Sequence, residues 1–250
     1  MPTDVEVTDP KISIFVPVAP ATVDGVCEIC HNATLVGRRG THYSKCWNCR
    51  DLLAGSVRTI VPISLVHTSE SQLYASLRDY KSETSYITRQ VRDEHVLLLA
   101  ATFQRFLRIH RAHIEQAAGV TWDAIQVVPS TRQRQGDHPL EDVVRRTIFR
   151  DELTRLLTPT GQEIGHNQPN DAAFAATSDV EGRRVLIADD TFTTGARVQS
   201  VAMALNRAGA TVVAAVPIGR VIDTDEPTKE AFWRERRSEA FDFDTCCLEV

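Results

Sequence analysis

The stretch Val185-Leu186-Ile187-Ala188-Asp189-Asp190-Thr191-Phe192-Thr193-Thr194-Gly195-Ala196-Arg197 constrains the fold more than any other part of the chain. Its four leading apolar residues read as a buried parallel strand. Two acids close that strand, and a hydroxyl-rich turn with one glycine follows. Residues 198–207 then read as a helix, with Val198, Val201, Ala202 and Leu205 at helical spacing. A strand running into a polar turn and a helix N-terminus is where α/β sheets bind phosphate, because free N–H groups and the positive end of the helix dipole meet the anion there. Thr193 and Thr194 add hydroxyl donors, and Gly195 lets the backbone come close. Asp189 and Asp190 cannot bind phosphate directly. They imply a ligand that carries hydroxyls, or a metal ion, beside its phosphate, and a sugar phosphate meets that demand.

A second pattern lies near the N-terminus: Cys27-x-x-Cys30, fifteen residues, then Cys46-x-x-Cys49. Each pair places two thiolates on one ion, and two pairs complete a tetrahedral zinc site with no position left for water, hence a structural one. A redox dithiol pair or unbound thiols are the alternatives. The intervening residues suit a small hairpin, with strand at 34–36 and turn at 37–40. His31 and His42 lie close enough in sequence to replace a cysteine, but four cysteines suffice. Trp47 is expected to pack on the module. Arg38, Arg39 and Lys45 would serve a nucleic-acid contact, although three basic residues more often form a solvated face.

A chain of 250 residues holds one large domain, or one domain plus a small module. We expect the zinc module within residues 1–57 and an α/β domain over residues 58–250. The net charge of −5 gives no global drive toward nucleic acid or an anionic membrane. No apolar run reaches the length of a membrane span, and residues 1–9 are acidic without an apolar signal core, so a cytoplasmic protein is expected.

Between these landmarks the pattern predicts strands at 11–16, 58–66, 122–129, 174–177 and 211–218 and helices at 70–81, 93–118 and 139–157. His110 and His113 on the long helix are an i, i+3 pair; without a carboxylate at matching spacing they read as surface histidines. The strand at 122–129 leads into Ser130-Thr131-Arg132-Gln133-Arg134-Gln135-Gly136, a basic loop where parallel sheets bind ligands, with Arg132 and Arg134 able to clamp a polyanion. Residues 158–171 read as a long loop of the lid type. Residues 223–250 carry Phe232, Trp233, Phe241 and Phe243 and read as a tail that docks on the domain, while the adjacent Cys246 and Cys247 are poorly spaced for joint ligation.

The stretch from Val185 with Asp189-Asp190 and Thr193-Thr194-Gly195 resembles the phosphoribosyl diphosphate (PRPP) signature of type I phosphoribosyltransferases. The order of zinc module, helix ending in Tyr80-Lys81, basic loop after Val128-Pro129 and signature is similar to the ComF family, from Cys27 to about Arg220. The resemblance implies a parallel-sheet phosphoribosyltransferase fold with a zinc-ribbon-like module. It implies a transferase moving ribose 5-phosphate from PRPP to a nitrogen base or amine, with structural zinc and with magnesium carried on PRPP. The alternative within the family is a non-catalytic nucleotide sensor or an adaptor in DNA uptake. Asp189 and Asp190 would bind the ribose hydroxyls. Thr191, Thr193, Thr194 and Gly195 would hold the 5′-phosphate. Ser130, Thr131, Arg132, Arg134 and Lys81 would face the pyrophosphate. Residues 162–174 would form a flap with Asn170 and Phe174. Thr191, Phe192 and Arg197 depart from the usual signature, and Thr193 stands where purine-specific members carry an acid, which argues against a purine acceptor. A small-molecule acceptor is the implied partner; a homodimer is compatible with the sequence.

Adjacent acids do not fit the Asp-x-Asp of phosphoaspartate hydrolases, and no Gly-x-x-x-x-Gly-Lys loop occurs.

Overall fold

The computed structural model describes residues 2–81, 84, 86–130 and 138–249. Its helices are α1 (Asp4–Thr8), α2 (Gln72–Asp79), α3 (Arg89–Ala118), α4 (Pro139–Arg145), α5 (Ala196–Arg207) and α6 (Pro227–Arg237). Its strands are β1 (Ser64–Val66), β2 (Ala124–Val127), β3 (Leu153–Thr154), β4 (Leu157–Pro159), β5 (Phe174–Ala176), β6 (Arg184–Phe192) and β7 (Thr211–Val221). Five strands form one parallel sheet in the order β1-β7-β6-β2-β3, and β4 and β5 form an antiparallel pair beside it.

Both faces of the sheet are covered, which is why β6 and β7 read as nearly unbroken apolar runs. On one face Leu186 and Ala188 of β6 and Val213, Ala214 and Val216 of β7 pack with Leu99, Phe103 and Phe106 of α3, Leu73 and Leu77 of α2 and Val143 of α4. On the other, Val185, Ile187 and Ala215 pack with Val198, Val201 and Leu205 of α5 and with Cys27, Cys30, Cys46 and Cys49. Gln199 of α5 exchanges two hydrogen bonds with the backbone of Val57, tying the cysteine-bearing segment to the sheet.

Several sequence expectations change here. Residues 11–16 do not form a strand. They contribute to a 3-10 helix, Asp9–Ile14, with Pro10 in its first turn, and only Val16 bridges to Leu65. Along 58–66 the ladder is regular only at β1, although Val61 and Ile63 still donate to Ala215 and Pro217 of β7; Pro62 has no N–H to continue it. The helix expected over 139–157 stops at Arg145. Thr147 donates its hydroxyl to the Val144 carbonyl and accepts from Phe149 N, a local competitor for the helical pattern, and the chain turns to add β3 beside β2. The long helix, the strands at 174–177 and 211–218 and the stop at Gly119, with φ of 71°, follow the sequence reading.

The tail packs against the core. Phe243 is fully buried, edge-on to Phe15 and Phe241, with the Arg105 guanidinium 4.4 Å from its ring centre. Truncating such a ring costs about 3–5 kcal/mol. Phe243→Ala should therefore lose about that much in urea unfolding. A loss below about 1 kcal/mol would show that the tail contributes no core.

Candidate functional site

The sheet order creates a switch point. The chain leaves β2 through α4 toward β3 on one side, and leaves β6 through α5 toward β7 on the other. The crevice between the carboxyl ends of β2 and β6 is where open α/β sheets take ligands. A cavity of about 210 Å³ lies there, lined by Tyr80, Lys81, Val128, Pro129, Ser130, His138, Pro139, Asp189, Asp190 and Arg197. Thus Val128, Pro129 and Ser130 after β2 meet the acids at the end of β6 in one cleft. Ser130, Lys81, Asp189 and Asp190 are brought together; Thr131, Arg132 and Arg134 lie outside the described residues.

Register explains why the acids face open space. β2 pairs with β6 only as far as Val127 opposite Ala188, whereas β6 continues along β7 to Phe192. Asp189 and Asp190 therefore stand beyond the end of β2. Strand alternation sends the two side chains to opposite faces. Asp190 goes to the α2 side, where Tyr80 Oη donates to its Oδ2 at 2.5 Å and Lys81 Nζ pairs with the same oxygen at 3.0 Å. Asp189 Oδ1 accepts from Asp190 N at 3.0 Å. Burial, and then the Asp190 carboxylate, push the Asp189 carboxyl up to about 7, against the opposing pull of Lys81, the Asp190 N–H and Arg197. The sequence marks Tyr80 only as half of the Tyr80-Lys81 dipeptide. Its polar end is the part that matters to the site.

The turn after β6 is shaped by its glycine. Gly195 has φ of 86°, and a Cβ there would lie 2.4 Å from Cζ of Phe192. The first helical bond runs from Gln199 N to the Gly195 carbonyl, so the N–H groups at the start of α5 have no intrahelical acceptor. Thr193 is exposed and Thr194 half-buried at that end.

Beneath the turn lies Arg220 of β7, a residue the sequence reading does not single out. It is 1% exposed. Its guanidinium donates to the carbonyls of Phe192, Thr193, Val221 and Cys30, and to Cys30 Sγ at 3.4 Å. No sequence pattern marks a buried arginine of this kind; a lone arginine in an apolar strand is the nearest signal.

Cys27, Cys30, Cys46 and Cys49 are all buried, with every Sγ within 4.8 Å of the others and Cys30 to Cys46 at 3.6 Å. Tetrahedral zinc with bonds of about 2.3 Å sets sulfurs about 3.8 Å apart, so the four thiols could hold a zinc ion. The Cys30 thiol is held well below the ordinary thiol range by hydrogen bonds from Cys27, Cys46 and Cys49 and by the nearby Arg220 charge. His31 and His42 turn instead to the carbonyls of Ala19 and Thr34. Trp47 does not pack on the module: it is 64% exposed, with the Arg50 guanidinium 3.3 Å over its ring. Lys45 pairs with Glu28, while Arg38 and Arg39 are exposed. Residues 170–174 lie against α5: Asn170 N donates to Ser200, Asp171 pairs with Arg207, and Phe174 is buried, so neither Asn170 nor Phe174 lines the cleft. Among the described residues, no helix is long and apolar enough to cross a membrane.

Two outcomes follow from this geometry. Cys27→Ser should lose about one zinc equivalent per chain relative to the wild type by atomic emission; an unchanged content would sink the cluster as a metal site. The raised Asp189 carboxyl means that the folded chain holds its proton more tightly than the unfolded chain, so stability falls as pH rises from 3.8 to about 7. Asp189→Asn should remove that slope and gain about 1–2 kcal/mol at pH 8 over its difference at pH 4, once solvent screening is allowed for. Parallel urea curves for both proteins at the two pH values check it. No protein-family model, curated protein or solved structure matches the chain, so the chemistry of the cleft is read from its own geometry.

Proposed function

We propose that the cleft binds PRPP as its magnesium complex and that the chain transfers ribose 5-phosphate to a nitrogen base or amine, releasing pyrophosphate. The observation that carries this reading is the switch-point juxtaposition. An acid pair at the end of β6 faces Lys81 and Ser130 across one cavity, with the N-terminus of α5 beside it. A ligand that satisfies all three has phosphate at one end, hydroxyls in the middle and a polyanion at the other.

In this reading Asp189 and Asp190 accept hydrogen bonds from the ribose 2′- and 3′-hydroxyls. Thr191, Thr193, Thr194 and Gly195 hold the 5′-phosphate at the helix terminus. Lys81 and Ser130 face the pyrophosphate, a role that the family resemblance extends to Thr131, Arg132 and Arg134, and Arg197 adds positive charge on the cleft wall. Magnesium supplies charge neutralisation for the leaving group. The bond from ribose C1 to the pyrophosphate oxygen breaks with its electron pair leaving on oxygen, and the acceptor's lone pair forms the new bond to C1. The positive charge that develops on the ribose lies near two carboxylates. Thr193 cannot abstract a proton at neutral pH, so an acceptor that already carries a free lone pair suits the site.

The test is calorimetric titration of the whole chain with PRPP and magnesium, followed by pyrophosphate release with a panel of bases and amines. Asp190→Asn keeps an acceptor for Tyr80 but loses the charge; it should weaken PRPP binding by about tenfold or more, equivalent to about 1.4 kcal/mol. Base-dependent pyrophosphate release identifies a transferase. Binding without release for any acceptor identifies a non-catalytic sensor on the same cleft. Absence of PRPP binding by the wild type would overturn both.

A further inference from the structure

The long helix and the tail meet in a second cluster of metal-ligating side chains, formed by His110 and His113 of α3 with Cys246 and Glu249. Against the sequence reading, His110 is not at the surface but fully buried, and the carboxylate missing from the local sequence arrives from residue 249. His110 Nε2 lies 2.8 Å from the Phe243 carbonyl. A carbonyl only accepts, so Nε2 carries the proton and the lone pair of the neutral ring sits on Nδ1. That Nδ1 is 3.4 Å from His113 Nδ1 and 3.5 Å from Glu249 Oε1, and His113 Nδ1 is 3.2 Å from the same oxygen. Glu249 Oε1 is buried and accepts no hydrogen bond among the described residues. Cys246 Sγ lies within 4.8 Å of all three atoms.

We propose that these four side chains form a zinc site that fastens the tail to α3. His110 Nδ1 and Glu249 Oε1 are both acceptors, 3.5 Å apart, and a cation between them relieves their repulsion. Tetrahedral zinc with nitrogen and oxygen bonds of about 2.0–2.1 Å places its ligands about 3.3–3.4 Å apart, matching the three separations. Two imidazoles, a thiolate and a carboxylate are a donor set for zinc rather than for magnesium or calcium. The Phe243 carbonyl on His110 Nε2 is the outer partner that orients a ligating histidine. The arrangement also accounts for the adjacent cysteines. Cys247 is buried in the same core as Phe243, and its half-buried neighbour Cys246 lies with the histidines. Four protein ligands leave no open position, so the ion is structural.

The site is independent of the cleft and of the four-cysteine cluster, and its test separates them. The full-length wild type, His113→Ala and Cys246→Ser are loaded with zinc, freed of excess and analysed for metal; His113 is exposed, so its truncation leaves the core intact. Each variant should lose about one zinc equivalent per chain relative to the wild type, and zinc should slow alkylation of Cys246, read by peptide mass spectrometry, in the wild type but not in His113→Ala. Alkylation mapped to Cys246 reports this site whatever the state of Cys27, Cys30, Cys46 and Cys49. Equal zinc contents in the wild type and His113→Ala, or equal alkylation of wild-type Cys246 with and without zinc, would overturn the proposal.

Discussion

The guanidinium of Arg220 is the interaction on which the centre of the molecule depends. A fully buried arginine is tolerated only when its donors are matched and its charge is answered. Four backbone carbonyls take the donors, and the Cys30 thiol, already pulled toward its ionised form, answers the charge. Were zinc bound, four thiolates around one divalent ion would carry a net negative charge, and the cluster and the arginine would each lower the cost of burying the other. The cysteine-bearing segment is in this sense part of the domain core, packed against α5 and β6 as well as on itself.

The same guanidinium shapes the turn that follows β6. It holds the carbonyls of Phe192 and Thr193 on its own side. Across planar trans peptides the N–H groups of Thr193 and Thr194 must point the opposite way. Phe192 fills the space above Gly195, so that residue must remain glycine for the chain to enter α5 at this angle. The donors of the turn are thus oriented before any ligand arrives, by contacts that lie below the site and come from β7 and the cysteine cluster.

The parallel sheet, the strand–turn–helix at its centre and the four-cysteine pattern were legible because each is written locally. Apolar runs, a glycine after hydroxyls and Cys-x-x-Cys spacings are properties of consecutive residues. What was not legible depends on residues far apart. Tyr80 and Asp190 are separated by 110 positions, Arg220 and Cys30 by 190, and His110 and Phe243 by 133. A histidine at i, i+3 from another looks the same on a solvated face and in a buried cluster until the tail is folded over it. The helix expected after Pro139 failed for a local reason of another kind, the side-chain hydrogen bonds of Thr147, which the apolar spacing of residues 140–156 conceals.

The two acids of the cleft are adjacent in sequence and unlike in setting. Asp190 is held from two directions by Tyr80 and Lys81, so its position is fixed and its charge is answered within the protein. Among the described residues Asp189 accepts only from a backbone N–H, and burial and the neighbouring Asp190 carboxylate raise its carboxyl. Neighbouring carboxylates in unlike environments are able to divide a task. For the proposed ligand this gives a sequence of demands. Asp190 is an anchor that already stands in place. Asp189 gains a full negative charge more readily once ribose hydroxyls donate to it, because hydrogen bonds to the ionised form favour that form. Ligand binding and loss of the Asp189 proton then reinforce each other, and the carboxylate is charged when the ribose above it becomes electron-poor.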